Sequence, residues 1–275
     1  MTSAQTKPST NLPPPPKKPV ASMPSEPDSV DFPIGKVEAG SKKWRVVLNC
    51  TEGWGKTTCM AYAENPLIVM CGREIGFKTL REHDRVPDVD CVSITTWLDF
   101  MKLMRSAAVK PYATICIDSM GALYSMLHSH VLSTKFSSDE QKFQAYGRGI
   151  SACETEWNTM LNAYETLDAN MILASHVEAT SFNNPDGQNY HRYTGNVPKQ
   201  LWALTSQWAD AVLFGTFLTV VENGKATGGT SRVVYTEHRA SHDAKNRFGM
   251  ESFISVPDEP EQVFGTLFTP IIKKG

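Results

Sequence analysis

Short uninterrupted apolar runs alternate with stretches of helical period along most of the chain. Trp44-Arg45-Val46-Val47-Leu48, Leu67-Ile68-Val69-Met70-Cys71, Val89 to Ile94, Thr114-Ile115-Cys116-Ile117-Asp118 and Met171-Ile172-Leu173-Ala174 each read as a strand covered on both faces. Helix-compatible sequence fills the gaps: Cys59 to Glu64, about Thr96 to Ala108, Met120 to His130, and about Asp139 to Leu167. A polar stretch from Glu178 to Pro198 has no period of its own and is predicted as a loop. Ala211 to Val221 and Val233 to Glu237 then read as further, antiparallel strands. The alternation predicts an α/β protein with a mostly parallel central sheet flanked by helices and antiparallel strands toward the C-terminus. Ligands are expected at the carboxyl ends of the strands. No internal repeat is evident.

Residues 1 to about 33 depart from this pattern, holding nine of the 17 prolines, including Pro13 to Pro16, among Ser, Thr and Lys. Such a segment has too little apolar surface to order itself, so 1–35 is expected to be an extended tail and 36–275 the folded domain. A formal net charge of −2 excludes a polycation that binds nucleic acid by bulk charge, and any such contact needs a local patch. The six cysteines show no C-x-x-C pairing and sit mostly in apolar runs, which suits reduced thiols. The N-terminus lacks the apolar core of a signal peptide, and Ala211 to Val221 is too short and threonine-rich to span a bilayer. A soluble cytoplasmic protein without a membrane partner is expected.

Chemistry concentrates at the strand ends. After the first strand comes Cys50-Thr51-Glu52-Gly53-Trp54-Gly55-Lys56-Thr57-Thr58 and then a helix, the setting of a phosphate-binding P-loop. Backbone N–H groups of Thr51, Glu52, Gly53, Trp54, Gly55, Lys56, Thr57 and Thr58 are candidates to cradle phosphates, with Lys56 reaching the outer ones and Thr57 ligating Mg²⁺. The P-loop pattern would place glycine where Cys50 stands, so the turn is expected to begin differently. Four apolar residues ending in Asp118 form a Walker B arrangement, a second ligand for the Mg²⁺ shell, and Ser119 is placed to cap the following helix. Glu74, just past the second strand, is positioned to deprotonate an attacking water, or else is a solvated loop glutamate. His176 ends the strand expected between those of the P-loop and Asp118, where it either senses the γ-phosphate or is a hydrogen-bonded strand-end histidine.

The Gly-Trp-Gly-Lys-Thr-Thr loop, Ile-Cys-Ile-Asp-Ser, Ile-Leu-Ala-Ser-His and the late Asp243-Ala244-Lys245-Asn246-Arg247-Phe248-Gly249 together resemble phage-encoded RecA-like ATPases of the AAA-family nucleotide-binding type. Some of these act as single-strand annealing or recombination proteins. The resemblance covers about residues 40 to 256. It implies a RecA-like core using ATP and Mg²⁺, located in the host cytoplasm if phage-encoded. It also implies a ring or filament in which Lys245 and Arg247 reach a neighbouring copy's nucleotide, the arginine fork neutralising charge in the transition state. In such proteins the segment after His176 contacts single-stranded DNA. Here Tyr190, His191, Arg192 and Tyr193, with Lys199 beyond, would supply stacking faces and charge. Three other readings stay open: a nucleotide-gated binding module with little turnover, a ring helicase or loader motor using the same site residues, and a monomeric P-loop small-molecule kinase, which has no use for Lys245 and Arg247.

Overall fold

Apolar runs without alternation become strands buried on both faces. In β1 (Arg45–Cys50) every residue after the first is buried, and it leads through the P-loop into the short α1 (Lys56–Ala61). β2 (Pro66–Cys71), fully buried, is followed by α2 (Gly76–Glu82), β3 (Cys91–Ile94) and α3 (Trp97–Met104). β4 (Thr114–Asp118), again fully buried, opens directly into α4 (Met120–Phe136), and α5 (Glu140–Gln144) and α6 (Arg148–Glu165) complete this half. Next come β5 (Asn170–Phe182), β6 (Tyr190–Gly195), α7 (Lys199–Trp208), β7 (Ala211–Glu222) and β8 (Lys225–Tyr235). β9 (Lys245–Asn246), β10 (Phe253–Ser255) and α8 (Pro260–Ile272) close the fold. The computed structural model describes residues 35–36, 42–185, 187–222 and 225–272. The chain divides into Met1–Glu38 and Ala39–Gly275, and all these elements belong to the second unit. The expected proline-rich tail, through Ile34, lies outside the described residues.

The strands hydrogen-bond in the order β10-β8-β7-β1-β5-β4-β2-β3, with β6 added to β5 and β9 to β7. From β7 to β3 the sheet is parallel, and β8, β9 and β10 run antiparallel to their neighbours, as the alternation predicted. β5 lies between β1 and β4, where the sequence put it. The chain leaves β1 for β2 across the positions β5 and β4 later fill, so the carboxyl ends of β1, β5 and β4 meet where the connections part. Register sets the depth of the site: Cys50 pairs with His176, and Met70 with Asp118.

Each face has its own core. Trp97, Phe100, Trp157 and Tyr164 join one face of the sheet to α3, α4, α6 and α7, while Trp54, Met60, Phe264 and Phe268 join the other to α1 and α8. Burying each such side chain contributes roughly 1.5–3 kcal/mol. Trp157 keeps its polar edge satisfied in the interior by donating from Nε1 to Thr205 Oγ1 at 2.9 Å.

Two expectations are corrected. The helix expected from Asp139 to Leu167 breaks between α5 and α6, where Tyr146 at φ 53 and Gly147 at φ 69 turn the chain left-handed. The stretch Glu178 to Pro198 is mostly not a loop. β5 continues through Phe182 and pairs antiparallel with β6, with Phe182 opposite Tyr190. β-branched and aromatic residues here favour strand, but both faces carry polar groups, so no apolar alternation marks it. All six cysteines are free and only Cys91 is exposed. Among the described residues no helix is long and apolar enough to cross a membrane.

Candidate functional site

The loop after β1 turns on glycine. Gly53 at φ 74 and Gly55 at φ 101 occupy the left-handed region, and Gly55 caps α1. Cys50 needs no such freedom, because it stays in the strand, paired with His176 on one side and Gly215 on the other. Its side chain is accommodated by its neighbour: a Cβ on Gly215 would stand 2.5 Å from Cys50 Sγ and 2.8 Å from Trp54 Cε2. Trp54 is fully buried and donates from Nε1 to the Val233 carbonyl at 3.3 Å, so its ring belongs to the core behind the loop. Burial pushes the Cys50 thiol up to about 12 and leaves it unreactive.

Lys56 is 6% exposed, and its ammonium donates to the carbonyls of Cys50 at 3.2 Å and Thr51 at 3.4 Å, with His176 Nδ1 also at 3.4 Å. These partners are oxygen dipoles and a ring nitrogen, and burial lowers the lysine's pKa despite nearby acidic groups. A lysine donating to Nδ1 requires that nitrogen to be unprotonated. Burial, followed by the charge of Lys56, lowers the His176 pKa in agreement with a neutral ring. Thr51 Oγ1 is buried at the start of the loop with no partner among the described residues.

Thr57 Oγ1 donates to Asp118 Oδ2 at 2.6 Å, joining the helix start to the end of β4. Burial raises the Asp118 pKa, opposed by that hydrogen bond and reinforced by the charge of Glu74. Glu74 lies on the turn after β2 and accepts from Ser119 Oγ at 3.1 Å. A cleft of about 940 Å³, walled by Arg73, Thr96, Ser129 and His130 among others, opens beside that turn. Glu74 therefore stands between that cleft and the buried Lys56 and Asp118, with His176 half-buried beside them.

The structure thus brings together Lys56, Thr57, Glu74, Asp118 and His176 from four elements of chain. It leaves Lys245 and Arg247 at the opposite, amino end of the strands, where β9 pairs with the start of β7. Lys245 Nζ donates to the carbonyls of Ser206, Gln207 and Ala209 at 2.8, 3.1 and 2.7 Å, closing the end of α7. Arg247, about half exposed, contacts Asp210 at 3.4 Å, a carboxylate also held by Lys42 and Arg45. Of the residues expected to touch DNA, Arg192 is engaged by Asp243, which also accepts from Trp202 Nε1 at 2.9 Å. Tyr190 packs on Phe182, Tyr193 stacks on Phe214 while staying 41% exposed, and His191 and Lys199 are exposed.

Sequence reasoning missed three residues. Ser119 was expected as a helix cap, but it makes no side-chain cap bond and turns its hydroxyl to Glu74. Arg232 on β8 donates to the carbonyls of Trp54, Pro257 and Asp258 at 3.2, 2.6 and 3.2 Å, holding the loop from behind. Trp54 lies in the loop as expected, and what went unread is that its ring is a core anchor. No local pattern joins positions about 180 residues apart, although a tryptophan between two P-loop glycines was a usable sign of burial.

Among known proteins, the model of a family described as an AAA domain matches residues 42–248. No curated protein matches the chain significantly. Among solved structures, the flagellar accessory protein FlaH from Methanocaldococcus jannaschii is similar at 10% identity and a TM-score of 0.41, covering 78% of this chain and 84% of that one.

Proposed function

The chain belongs to the AAA domain family, and from that premise we propose that it is a magnesium-dependent ATPase that binds ATP on the loop from Thr51 to Thr58. The observation that carries this reading is Lys56, a buried ammonium facing neutral dipoles. Burying a cation is costly unless opposite charge meets it, and phosphate oxygens are that charge. The unpartnered Thr51 hydroxyl supports the same occupant. The Thr57 hydroxyl and Asp118 carboxylate fit Mg²⁺, which takes hard oxygen ligands, one or two carboxylates and the substrate's phosphates. Among the described residues no cluster of three His, Cys, Asp or Glu forms a metal cage, in keeping with so partial a site. When bound, the ion neutralises charge on the transferring phosphoryl group.

In this reading Lys56 holds the β- and γ-phosphates in place. Glu74 accepts a proton from water as that water's oxygen bonds to the γ-phosphorus. The bond from phosphorus to the bridging oxygen breaks, and its electron pair leaves with ADP. His176, touching Lys56, registers whether that lysine is drawn toward phosphate. Arg247 of a second copy, rather than Lys245, is the candidate to act in trans, since Lys245 is committed to three carbonyls. For single-stranded DNA, His191, Tyr193 and Lys199 are the available hairpin and helix groups, and Arg192 serves the fold through Asp243.

The test is nucleotide binding and turnover by the full chain with Mg²⁺, with and without single-stranded DNA, over a range of protein concentration. Lys56→Ala should lose on the order of tenfold to a hundredfold in ATP affinity. Glu74→Gln should keep affinity and lose about a hundredfold or more in turnover. ATP affinity unchanged in Lys56→Ala would overturn the proposal. Binding without turnover in the natural chain would replace the ATPase with a nucleotide-gated clamp. DNA-stimulated turnover, steep in protein concentration, would support strand binding by an assembly.

A further inference from the structure

Glu74 is carried on a short turn rather than on a strand or helix. Gly72 at φ 66 opens that turn, the Glu74 N–H reaches back to the Cys71 carbonyl at 3.2 Å, and Arg73 and Ile75 on either side are exposed. A glutamate so placed has three rotatable side-chain bonds and solvent on one side, so its backbone alone does not aim its carboxylate. The aim comes from across the sheet edge. Ser119 is 2% exposed, follows Asp118 directly and begins α4. A serine at that position ordinarily accepts from an N–H in the first helical turn. Here it makes no such bond and its hydroxyl donates to Glu74 Oε1 at 3.1 Å.

We propose that Ser119 is a positioning residue for hydrolysis: its hydroxyl occupies Oε1 of Glu74 and so leaves Oε2 aimed at the attacking water. The inference rests on the assignment of Glu74 as the base. It gives a reason for a serine that forgoes its capping bond, and it ties the base to the strand end that carries Asp118. Metal ligand and base then share one rigid support, and their separation is fixed by adjacent residues of backbone.

The experiment is a double-mutant cycle on the full chain with Ser119→Ala and Glu74→Ala. Single-turnover ATP hydrolysis is measured at saturating Mg-ATP, together with the Kd of a non-hydrolysable ATP analogue and the melting temperature. Ser119→Ala should lower turnover on the order of tenfold, the loss of one hydrogen bond to a charged group, with analogue Kd within about twofold. In the Glu74→Ala background the same substitution should change turnover by less than about twofold, because a residue acting only through Glu74 has nothing left to act on. Ser119→Thr, which keeps the donor, should restore most of the rate. Ser119→Cys, which keeps the volume and weakens the donor, should not. If Ser119→Ala melts too early for assay, the Thr and Cys variants carry the comparison. Equal losses in both backgrounds, or Cys as active as Thr, would overturn the positioning role. Full turnover in Glu74→Ala would instead remove the base assignment itself, so the two failures are distinguishable.

Discussion

Gly215 tests the account of the phosphate loop, because the space it leaves is what lets Cys50 and Trp54 sit where they do. In Gly215→Ala the new methyl would lie 2.5 Å from Cys50 Sγ, 2.8 Å from Trp54 Cε2 and 3.0 Å from Cys50 Cβ. Ordinary carbon contacts settle at about 3.5–4.0 Å, so the overlap approaches an ångström against atoms with no room to yield. Cys50 and Trp54 are both fully buried, and β7 is held to β1 by a parallel ladder. Overpacking of this kind costs about 1–3 kcal/mol. For a domain of this size each kcal/mol lowers Tm by ~2–4 °C, so a loss of ~2–12 °C is expected by calorimetry. Because one displaced ring belongs to the loop, ATP affinity should fall as well, by about tenfold for one lost backbone contact. The decisive arm is Cys50→Ala combined with Gly215→Ala. Removing Sγ relieves the shortest overlap, so the double variant should be more stable than the sum of the single losses by ~1 kcal/mol. A Gly215→Ala protein melting within 1 °C of the natural chain, or additivity within ~0.5 kcal/mol, would refute the packing argument.

Three further outcomes are expected. Arg232→Ala releases the Trp54, Pro257 and Asp258 carbonyls, and should weaken ATP binding by roughly tenfold in a calorimetric titration while costing only about 1–2 kcal/mol of stability, since the vacated site can take water. His242, buried between Phe214 and Tyr235, has its pKa lowered to about 4 by burial and then by Arg239 and His238, with Asp243 opposing. Its contribution is therefore full above pH 6.5 and lost as pH falls toward 4, on the order of 2 kcal/mol for a partly shielded ring, and His242→Phe should flatten the fall of Tm across that window. Trp157→Ala leaves a cavity and takes away the donor to Thr205, whose hydroxyl keeps its bond to the Leu201 carbonyl, and should cost about 3–5 kcal/mol by chemical denaturation without altering nucleotide affinity.

Central strands were easy to read because burial on both faces selects apolar residues: β2 is apolar throughout, and β1 and β4 keep their buried polar residues, Asn49, Thr114 and Asp118, at or near their ends. That Lys56, Thr57 and Asp118 would lie together was legible for a related reason: they follow the carboxyl ends of two such strands, which the parallel sheet brings to one end. The β5–β6 hairpin escaped because it projects past the core, so neither face imposes a hydrophobic rhythm. Tyr146 broke a predicted helix at a left-handed position no residue preference announces. The Trp54 ring and Arg232 were missed since β8 and the loop after β1 meet across 178 or more residues of chain. What local sequence withheld was long-range packing, above all around a loop whose own residues were plain.

β5 joins two places usually connected by slack chain. From His176 to Phe182 it is one extended strand, first inside the parallel sheet and then in the hairpin with β6. Six steps of strand span ~20 Å, so a rotation of only ~3° about the histidine carries the far end through ~1 Å. His176, where the strand leaves the parallel sheet, rests against Lys56, so any tilt of β5 there would have its longest travel at the hairpin's tip.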